Sequence, residues 1–463
     1  MPWPIREFHL QKPLPEMSIL AKIVNPSRYA DEAMQQVANA GTSQSYWMMV
    51  KKQFRKNKLA VYSLRVVFFL VALASLADFI ANEKPLVCNY NNHVYFPILR
   101  SYTVVMGINE WPSELQNVEW KKLNYKWSIF PPIPYLPENI DEANVHSVSP
   151  FDKQQVKSKR WRHWLGTDEL GHDIFAAMIY GTRIALLVGI VSMSIATLIG
   201  LILGSLAGYF GDERLKVSRS SLIFNLLFFA LGIFYAFGLR SYILSDALTH
   251  SFLSLFGQLL LSLLIFIAVI VIGNILALPF KRLPILGKKI NIPVDIIVSR
   301  CIEIMISIPT LFLIIAIVAI AKPSLMLVML VIGATTWTGI ARFARAELLR
   351  IRSLEYIEAA HALGYSEVRT IFRHALPNAL SPVLIAVAFG IASAILTEAT
   401  LSFLGIGVPA DTFTWGSLLA EARYKPTAWW LAIFPGIAIF ITVTVYNLLG
   451  EGLTDAMDPR LRK

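Results

Sequence analysis

The chain has 463 residues, of which 55% are hydrophobic and 16% are charged, and its mean hydropathy is +0.55. Because average soluble proteins carry about 25% charged residues, this composition excludes an ordinary soluble protein and predicts a chain embedded in lipid. The net charge of +11 does not indicate nucleic-acid binding, since membrane proteins collect Lys and Arg in their cytoplasmic loops. Cys88 and Cys301 lie in a polar segment and at the edge of an apolar run, so we expect no disulfide between them.

Eight apolar runs reach or approach the length of about 20 residues that a helix needs to cross the hydrocarbon core. In chain order they cover residues 60–82, 184–209, 222–239, 256–279, 302–321, 324–341, 380–401 and 428–449. These runs predict an all-α polytopic membrane protein.

Basic residues are concentrated in the connections after the second, fourth and sixth runs, and cytoplasmic loops retain Lys and Arg. This pattern predicts that both termini are cytoplasmic. The expected order is a cytoplasmic segment at 1–58, a first transmembrane helix at 59–82, an extracytoplasmic segment at 83–183 and further spans within 184–463. Residues 83–165 are rich in Trp, Tyr, Pro and Asn and predict a small, turn-rich extracytoplasmic domain.

Small residues recur every four positions along the second run, at Ser192, Ala196, Gly200, Gly204 and Gly208. Such a stripe lies on one helix face and lets a second helix approach closely. Static packing within one bundle is the favoured interpretation, and a mobile seam between helices is the alternative.

The motifs of metalloproteases, serine hydrolases, dinucleotide-binding proteins and P-loop ATPases are missing from the sequence. The eight histidines are scattered, and Glu303 and Glu398 fall near the ends of spans, where we expect them to be interfacial. We therefore expect no catalytic site, no metal site, no proton relay and no cofactor.

The connection at 342–378 predicts two helices joined by a hinge. Its first helix is rich in good helix formers, and Gly364 supplies the positive φ that commonly ends a helix. Ser366 is placed to cap the second helix, and Pro377 is expected to end it. Ala359, Ala360 and Leu363 would give the first helix a small apolar face suited to a groove in another protein.

The spacing from Glu358 to Pro377 resembles the cytoplasmic loop of the permease subunits of ATP-binding-cassette importers. That family has Glu-Ala-Ala, three residues, Gly, nine residues, Ile, any residue and Leu-Pro, and His374 stands here at the Ile position. The resemblance implies an ATPase-coupling surface with the following members: Glu358, Ala359, Ala360, Leu363, Gly364, Leu376, Pro377 and Asn378.

Three further stretches are similar to the dipeptide, oligopeptide and nickel branch of this family, at Leu165–Asp173, Leu401–Gly405 and the C-terminal region from Phe434. They indicate the second, C-type permease of the pair. The resemblance implies a six-helix core, to which this sequence adds an inserted two-helix hairpin at about 222–279 and the extracytoplasmic loop domain. Residues 342–378 would then be the coupling loop.

The resemblance also implies partners: a homologous second permease, two ATPase subunits, an extracytoplasmic solute-binding protein and the lipid of a bacterial inner membrane. It implies uptake of short peptides. Nickel, a metal chelate, a peptide antibiotic or an oligosaccharide remain alternative cargoes, and a non-transporting sensor or assembly factor is the alternative function.

Overall fold

The computed structural model describes residues 46–116, 118–250, 252–320, 322–409 and 411–458. Most of the predicted cytoplasmic segment 1–58, and both termini, lie outside the described residues. The helices are α1 Tyr46–Lys56, α2 Lys58–Ser75, α3 Ala77–Ile80, α4 Pro97–Val105, α5 Ile174–Ser205, α6 Arg219–Ile233, α7 Ser241–His250, α8 Phe252–Ala277, α9 Val294–Ser307, α10 Thr310–Ile320, α11 Leu325–Ile351, α12 Glu355–Ala362, α13 Glu367–Thr370, α14 Leu376–Phe403, α15 Trp415–Tyr424 and α16 Trp430–Met457. The strands are β1 Val87–Tyr90, β2 His93–Tyr95, β3 Trp127–Ile129, β4 Lys216–Ser218 and β5 Lys289–Asn291.

Within the described ranges, 7 helices are long and apolar enough to cross a membrane, and a bent helix pair raises the number to 8 if the pair is one span. The prediction of an all-α polytopic membrane protein is confirmed. The fifth predicted span, at 302–321, is not one straight helix, because α9 and α10 meet at an angle of 81°. Ile308 has an extended backbone and precedes Pro309, which disfavours helical geometry at the residue before it.

The second span begins earlier than the sequence predicted, at Ile174 rather than near residue 184. The Asp173 side chain accepts a hydrogen bond of 2.7 Å from the Ala176 amide and so caps the helix. At its other end α5 widens into a π-helix at Leu206–Phe210 and stops at Gly211, whose φ is +59°.

Four long helices form the core of the membrane-spanning part. Helix α5 packs along α11 and α14, and α14 packs along α16. The buried apolar side chains of α11, including Val328, Ile332 and Ile340, form the centre of this core. Helix α2 lies against α16 and α5.

The segment between α3 and α5 contains a three-stranded antiparallel sheet in the order β2-β1-β3, which the turn-rich sequence did not predict. Cys88 lies in its central strand and is buried, whereas Cys301 is exposed, and both thiols are free as expected. Asp78 connects α3 to α5, because its carboxylate accepts hydrogen bonds from Tyr180 (2.6 Å) and Arg183 (2.8 Å).

Helices α6 and α8 form a hairpin whose contacts are mainly with each other rather than with the core helices described. Inside it Asn225 and Asn274 exchange side-chain hydrogen bonds of 3.3 and 2.7 Å, which satisfies two amides that would otherwise face apolar surroundings. Strands β4 and β5 pair antiparallel at its base, with Ser218 opposite Lys289. The paired strands bring the two ends of the insertion together.

This geometry predicts that the hairpin can be removed without unfolding the core. In a variant lacking residues 219–288, Ser218 would be joined to Lys289 through Asn-Gly, which favours a two-residue turn between antiparallel strands. We expect normal membrane abundance and an apparent melting temperature within about 5 °C of the wild-type value. Both would be measured on detergent-solubilised protein. Loss of the folded protein from the membrane would show that the core needs the hairpin.

Candidate functional site

The connection between α11 and α14 folds as two helices around a glycine, as the sequence predicted. Helix α12 ends at Ala362, and Gly364 follows with φ of +78°. The Ser366 hydroxyl then accepts a hydrogen bond of 3.4 Å from the Arg369 amide and caps α13. A Cβ at Gly364 would meet no atom within 4 Å, so backbone conformation alone restricts this position to glycine or a residue that tolerates positive φ.

Pro377 does not end the second helix, so that expectation was wrong. Helix α13 continues through a π-helix at Ile371–Ala375 directly into α14, and Pro377 occupies the first turn of α14. Pro377 stands in the first turn of α14, where a missing amide hydrogen costs least and the fixed φ of proline suits a helix. The connection therefore enters the membrane-spanning helix without a break.

The predicted coupling residues divide into an exposed and a buried group. Glu358, Ala359, Gly364, Pro377 and Asn378 are exposed, and Leu363 is 75% exposed. Ala360 is only 5% exposed and faces its own chain, so it does not share the outward face of Ala359 and Leu363. Leu376 is half-buried.

Other exposed apolar side chains extend this face beyond the residues that the sequence singled out. Tyr356 precedes Glu358 on α12, and Val368 and Phe372 lie beyond the hinge. Several large apolar side chains exposed together outside a core are typical of a surface that another protein covers. We call Glu358, Ala359, Leu363, Val368 and Phe372 the coupling face, after the role that the sequence resemblance implies for this connection.

The inner side of this connection packs against the end of α5. The buried cluster there consists of Tyr209, Leu348, Ile351, Ile357, Ile371, Ala375 and Ala379. The Tyr209 hydroxyl also lies 3.0 Å from Nε2 of His361 in α12. This contact holds α12 against the end of α5.

The small-residue stripe of α5 is the surface that α11 packs on. Ser192 donates a hydrogen bond of 3.0 Å to the carbonyl of Met329, and Ala196 is fully buried. A Cβ at Gly200 would come within 2.9 Å of the Trp337 carbonyl. At Gly204 it would come within 2.6 Å of the Ala341 carbonyl, and at Gly208 within 2.5 Å of the Arg345 carbonyl.

The two backbones therefore meet along this seam at distances that only small residues allow. Since α11 leads into α12, and Tyr209 at the end of α5 contacts α12, the coupling face is attached to both helices of the seam.

At the opposite end of α5, the loop 165–173 is fixed by buried polar contacts. Asp168 accepts hydrogen bonds from the backbone amide of His172 (2.7 Å) and lies 2.6 Å from its Nδ1. His163 lies between Asp173 (2.7 Å) and Asp141 (3.0 Å). Burial disfavours the charged imidazole, but hydrogen bonds to Asp141 and Asp173 outweigh it and raise the pKa of His163.

This loop also holds α15 and the start of α16. Trp430 donates a hydrogen bond of 3.0 Å to the Thr167 carbonyl, and Lys425 lies 2.7 Å from the Glu169 carboxylate. A cavity of about 470 Å³ lies between this loop and α15, and Glu421 and Asp168 form part of its wall. Burial and the neighbouring Asp168 raise the pKa of Glu421 to about 7. The sequence motif indicated the loop 165–173 but not its contacts with α15 and α16. These contacts join residues about 250 positions apart in the chain.

Glu398 is enclosed by its own chain, which the sequence did not predict. It is 1% exposed within α14, and Ser402 donates a hydrogen bond of 2.6 Å to its carboxyl group. In the sequence, the only sign of this burial was Ser402, one helical turn after Glu398. Glu303, by contrast, is exposed and pairs with Arg300.

Two cavities lie along the faces of α11 and α14, with volumes of about 530 and 380 Å³. Thr336 and Ser393 contribute to both. The Thr336 hydroxyl donates a hydrogen bond to the Ile332 carbonyl of its own helix. The Thr397 hydroxyl likewise donates to the Ser393 carbonyl of its own helix. These walls carry apolar and hydroxyl groups. Among the described residues, no group of three or more His, Cys, Asp and Glu side chains could hold a metal ion.

Comparison with known families decides what this architecture is. Residues 284–463 match the family described as the inner membrane component of binding-protein-dependent transport systems. Residues 45–97 match the N-terminal transmembrane domain of oligopeptide transport permease C. The glutathione transport system permease protein GsiD of Pectobacterium atrosepticum is 30% identical over 65% of this chain and 73% of the relative.

The chain belongs to this permease family. The permease is thus a non-catalytic membrane subunit of a transport system, as predicted, and its family implies ATPase and solute-binding partners in general. The inner membrane ABC transporter permease protein YejE of Escherichia coli K12 is 28% identical over 88% of this chain and 95% of the relative. The dipeptide transport system permease protein DppC of Alkalihalophilus pseudofirmus is 29% identical over 70% and 80%.

The seam between α5 and α11 predicts opposite effects for the same substitution at two glycines of the permease. Gly204→Ala places a methyl group against the Ala341 carbonyl and should destabilise the protein by about 1–3 kcal/mol. Gly436→Ala in α16 meets no atom within 4 Å and should stabilise it by about 0.5–1 kcal/mol. Apparent melting temperatures of the two variants test this, and equal shifts in one direction would contradict the close packing at the seam.

Proposed function

We propose that this permease is one half of an importer for short peptides. It pairs with a homologous permease, and each half docks on an ATPase subunit through the coupling face. A solute-binding protein delivers the peptide on the outer side. ATP binding then moves the coupling face and, with it, the seam of α5 and α11.

The observation that carries this proposal is the attachment of the exposed coupling face to both helices of the seam. Leu363 and Glu358 are exposed, while the other side of the same short segment is buried against Tyr209 and Leu348. A force applied to α12 therefore reaches α5 and α11 through packed side chains rather than through a free loop.

The peptide substrate is supported by the relatives and by the cavities. The relatives are named for transport of dipeptides and glutathione, which share amide bonds and terminal charges. The cavity walls near Thr336 and Ser393 are apolar or carry hydroxyls bonded to their own helix. Such walls would not select peptides by side-chain charge.

The proposal includes an orientation, with 342–378 in the cytoplasm and 83–165 outside, which the distribution of Lys and Arg supports. A Cys301→Ser background removes the exposed native thiol, while Cys88 is buried. In that background Lys153→Cys should react with an impermeant maleimide from outside, and Leu363→Cys only after the membrane is opened. Both side chains are exposed. The reverse pattern would refute the orientation.

The coupling role predicts different outcomes for two substitutions at Gly364. Gly364→Val forces a β-branched residue into positive φ, at a cost of roughly 1–2 kcal/mol or more, and should misdirect α13. Gly364→Asn is the matched control, because Asn tolerates this conformation. We expect the Val variant to reach the membrane normally but to lose peptide uptake and ATPase co-purification, while the Asn variant keeps both.

Charge reversal at Glu358 tests the same face without backbone strain. Glu358→Arg should weaken docking by as much as several kcal/mol if the partner surface is complementary. Glu213→Arg is the control, since Glu213 is also exposed and follows the same end of α5. Uptake of a labelled tripeptide by proteoliposomes that contain all subunits is the measurement. Wild-type uptake by Glu358→Arg and Gly364→Val together would remove the coupling role.

A further inference from the structure

A further cavity, of about 520 Å³, lies in the segment between α3 and α5, apart from the coupling face and the seam. Lys121, Tyr135 and Trp161 contribute to its wall. A volume of 300–1,000 Å³ is typical of sites for small molecules rather than for protein side chains alone.

The Lys121 ammonium is the unusual group in this cavity. Its nitrogen lies 3.7 Å from the ring centroid of Tyr135 and 5.8 Å from that of Trp161. Within the described part of the chain it forms no ion pair with a carboxylate. Burial lowers its pKa to about 8, even though Glu83, Asp141 and Asp173 attract the charge from farther away. A half-buried ammonium held only by aromatic rings is a favourable partner for an incoming anion.

Some charged side chains around the cavity have a partner of opposite charge, and others do not. Glu119 is paired with Lys122 at 2.7 Å, and Asp141 lies 3.0 Å from His163. Glu142 also contributes to the wall, is exposed, and makes no ion pair within the described ranges. The cavity thus presents the half-buried Lys121, the exposed Lys157 at its wall, one carboxylate without an ion pair and two aromatic rings. This combination matches a small zwitterion with an apolar part, as in a short peptide.

We propose that this cavity binds the free carboxylate end of a short peptide through Lys121, with Tyr135 and Trp161 against its last side chain and Glu142 facing its ammonium. The choice of a peptide as ligand rests on the proposed function. The site lies on the permease itself and is separate from the site of the solute-binding protein.

The test is isothermal titration calorimetry on the full-length permease in nanodiscs. The probes are N-acetyl-trialanine with a free carboxylate and the same peptide as its amide. The acetyl group removes the peptide amine, which would otherwise titrate near the same pH as Lys121. We expect the acid to bind at least tenfold more tightly than the amide. Lys121→Met should abolish this preference, and Lys126→Met, at an exposed lysine outside the cavity, should keep it.

A pH titration of the wild-type protein gives an independent readout that needs no variant. The ammonium is protonated below its pKa, so affinity for the acid should fall about tenfold between pH 7 and pH 9, while affinity for the amide should not change in parallel. Equal affinity for acid and amide, or a preference that survives in Lys121→Met, would overturn the inference.

The inference and the proposed function fail in different ways. If the complete transporter takes up trialanine but the permease shows no carboxylate-dependent binding, the site is refuted and the proposed function stands. If binding depends on the carboxylate but the complete transporter takes up no peptide, the proposed function is refuted and the site remains.

Discussion

The close contact between the backbones of α5 and α11 is the constraint on which the rest of this permease depends. Lipid tails are as apolar as the helix surfaces, so burial of apolar area does little to bring spans together, and close packing has to supply the attraction. The stripe from Ser192 to Gly208 supplies it by removing side-chain bulk from one face. Where the stripe ends, Tyr209 continues the same contact onto α12. One helix therefore supports both the membrane seam and the coupling face.

The other end of α5 is fixed by polar groups instead of small ones. Asp173 caps the helix and also contacts His163, and Tyr180 and Arg183 hold Asp78. These contacts connect α5 to the segment that carries the small sheet. Because α5 is anchored by polar groups at one end and packed by glycines along its length, it connects the segment that carries the small sheet with the coupling face.

Hydropathy predicted the approximate positions of seven spans, because the thickness of the hydrocarbon core sets their length. Local chemistry predicted Gly364 and Ser366, since positive φ and helix capping depend on a few neighbouring residues. The stripe from Ser192 to Gly208 was visible as a pattern. That its partner is α11 was not, because the partner of a small-residue face depends on tertiary packing.

The errors have physical causes of the same kind. An apolar run does not reveal that Ile308 is extended, and the run at 302–321 was therefore taken as straight. Pro377 was expected to end a helix because the π-helix that carries the chain from α13 into α14 has no sequence signal. The burial of Glu398 was not predicted, because a charge near the end of a span usually reaches water or headgroups. Only the surrounding helices show that it is enclosed.

The central claim is that α5, α11 and the coupling face move together when the ATPase subunits close. Pulsed electron paramagnetic resonance on the assembled transporter measures this most directly, with spin labels at the exposed positions Leu198 on α5 and Leu363 beyond α12. A second pair would join Leu363 to the exposed Phe440 on α16. The account predicts that trapping with ATP and vanadate leaves the first distance unchanged within about 2 Å and shifts the second. A change of about 5 Å or more between positions 198 and 363, with the seam intact, would contradict it.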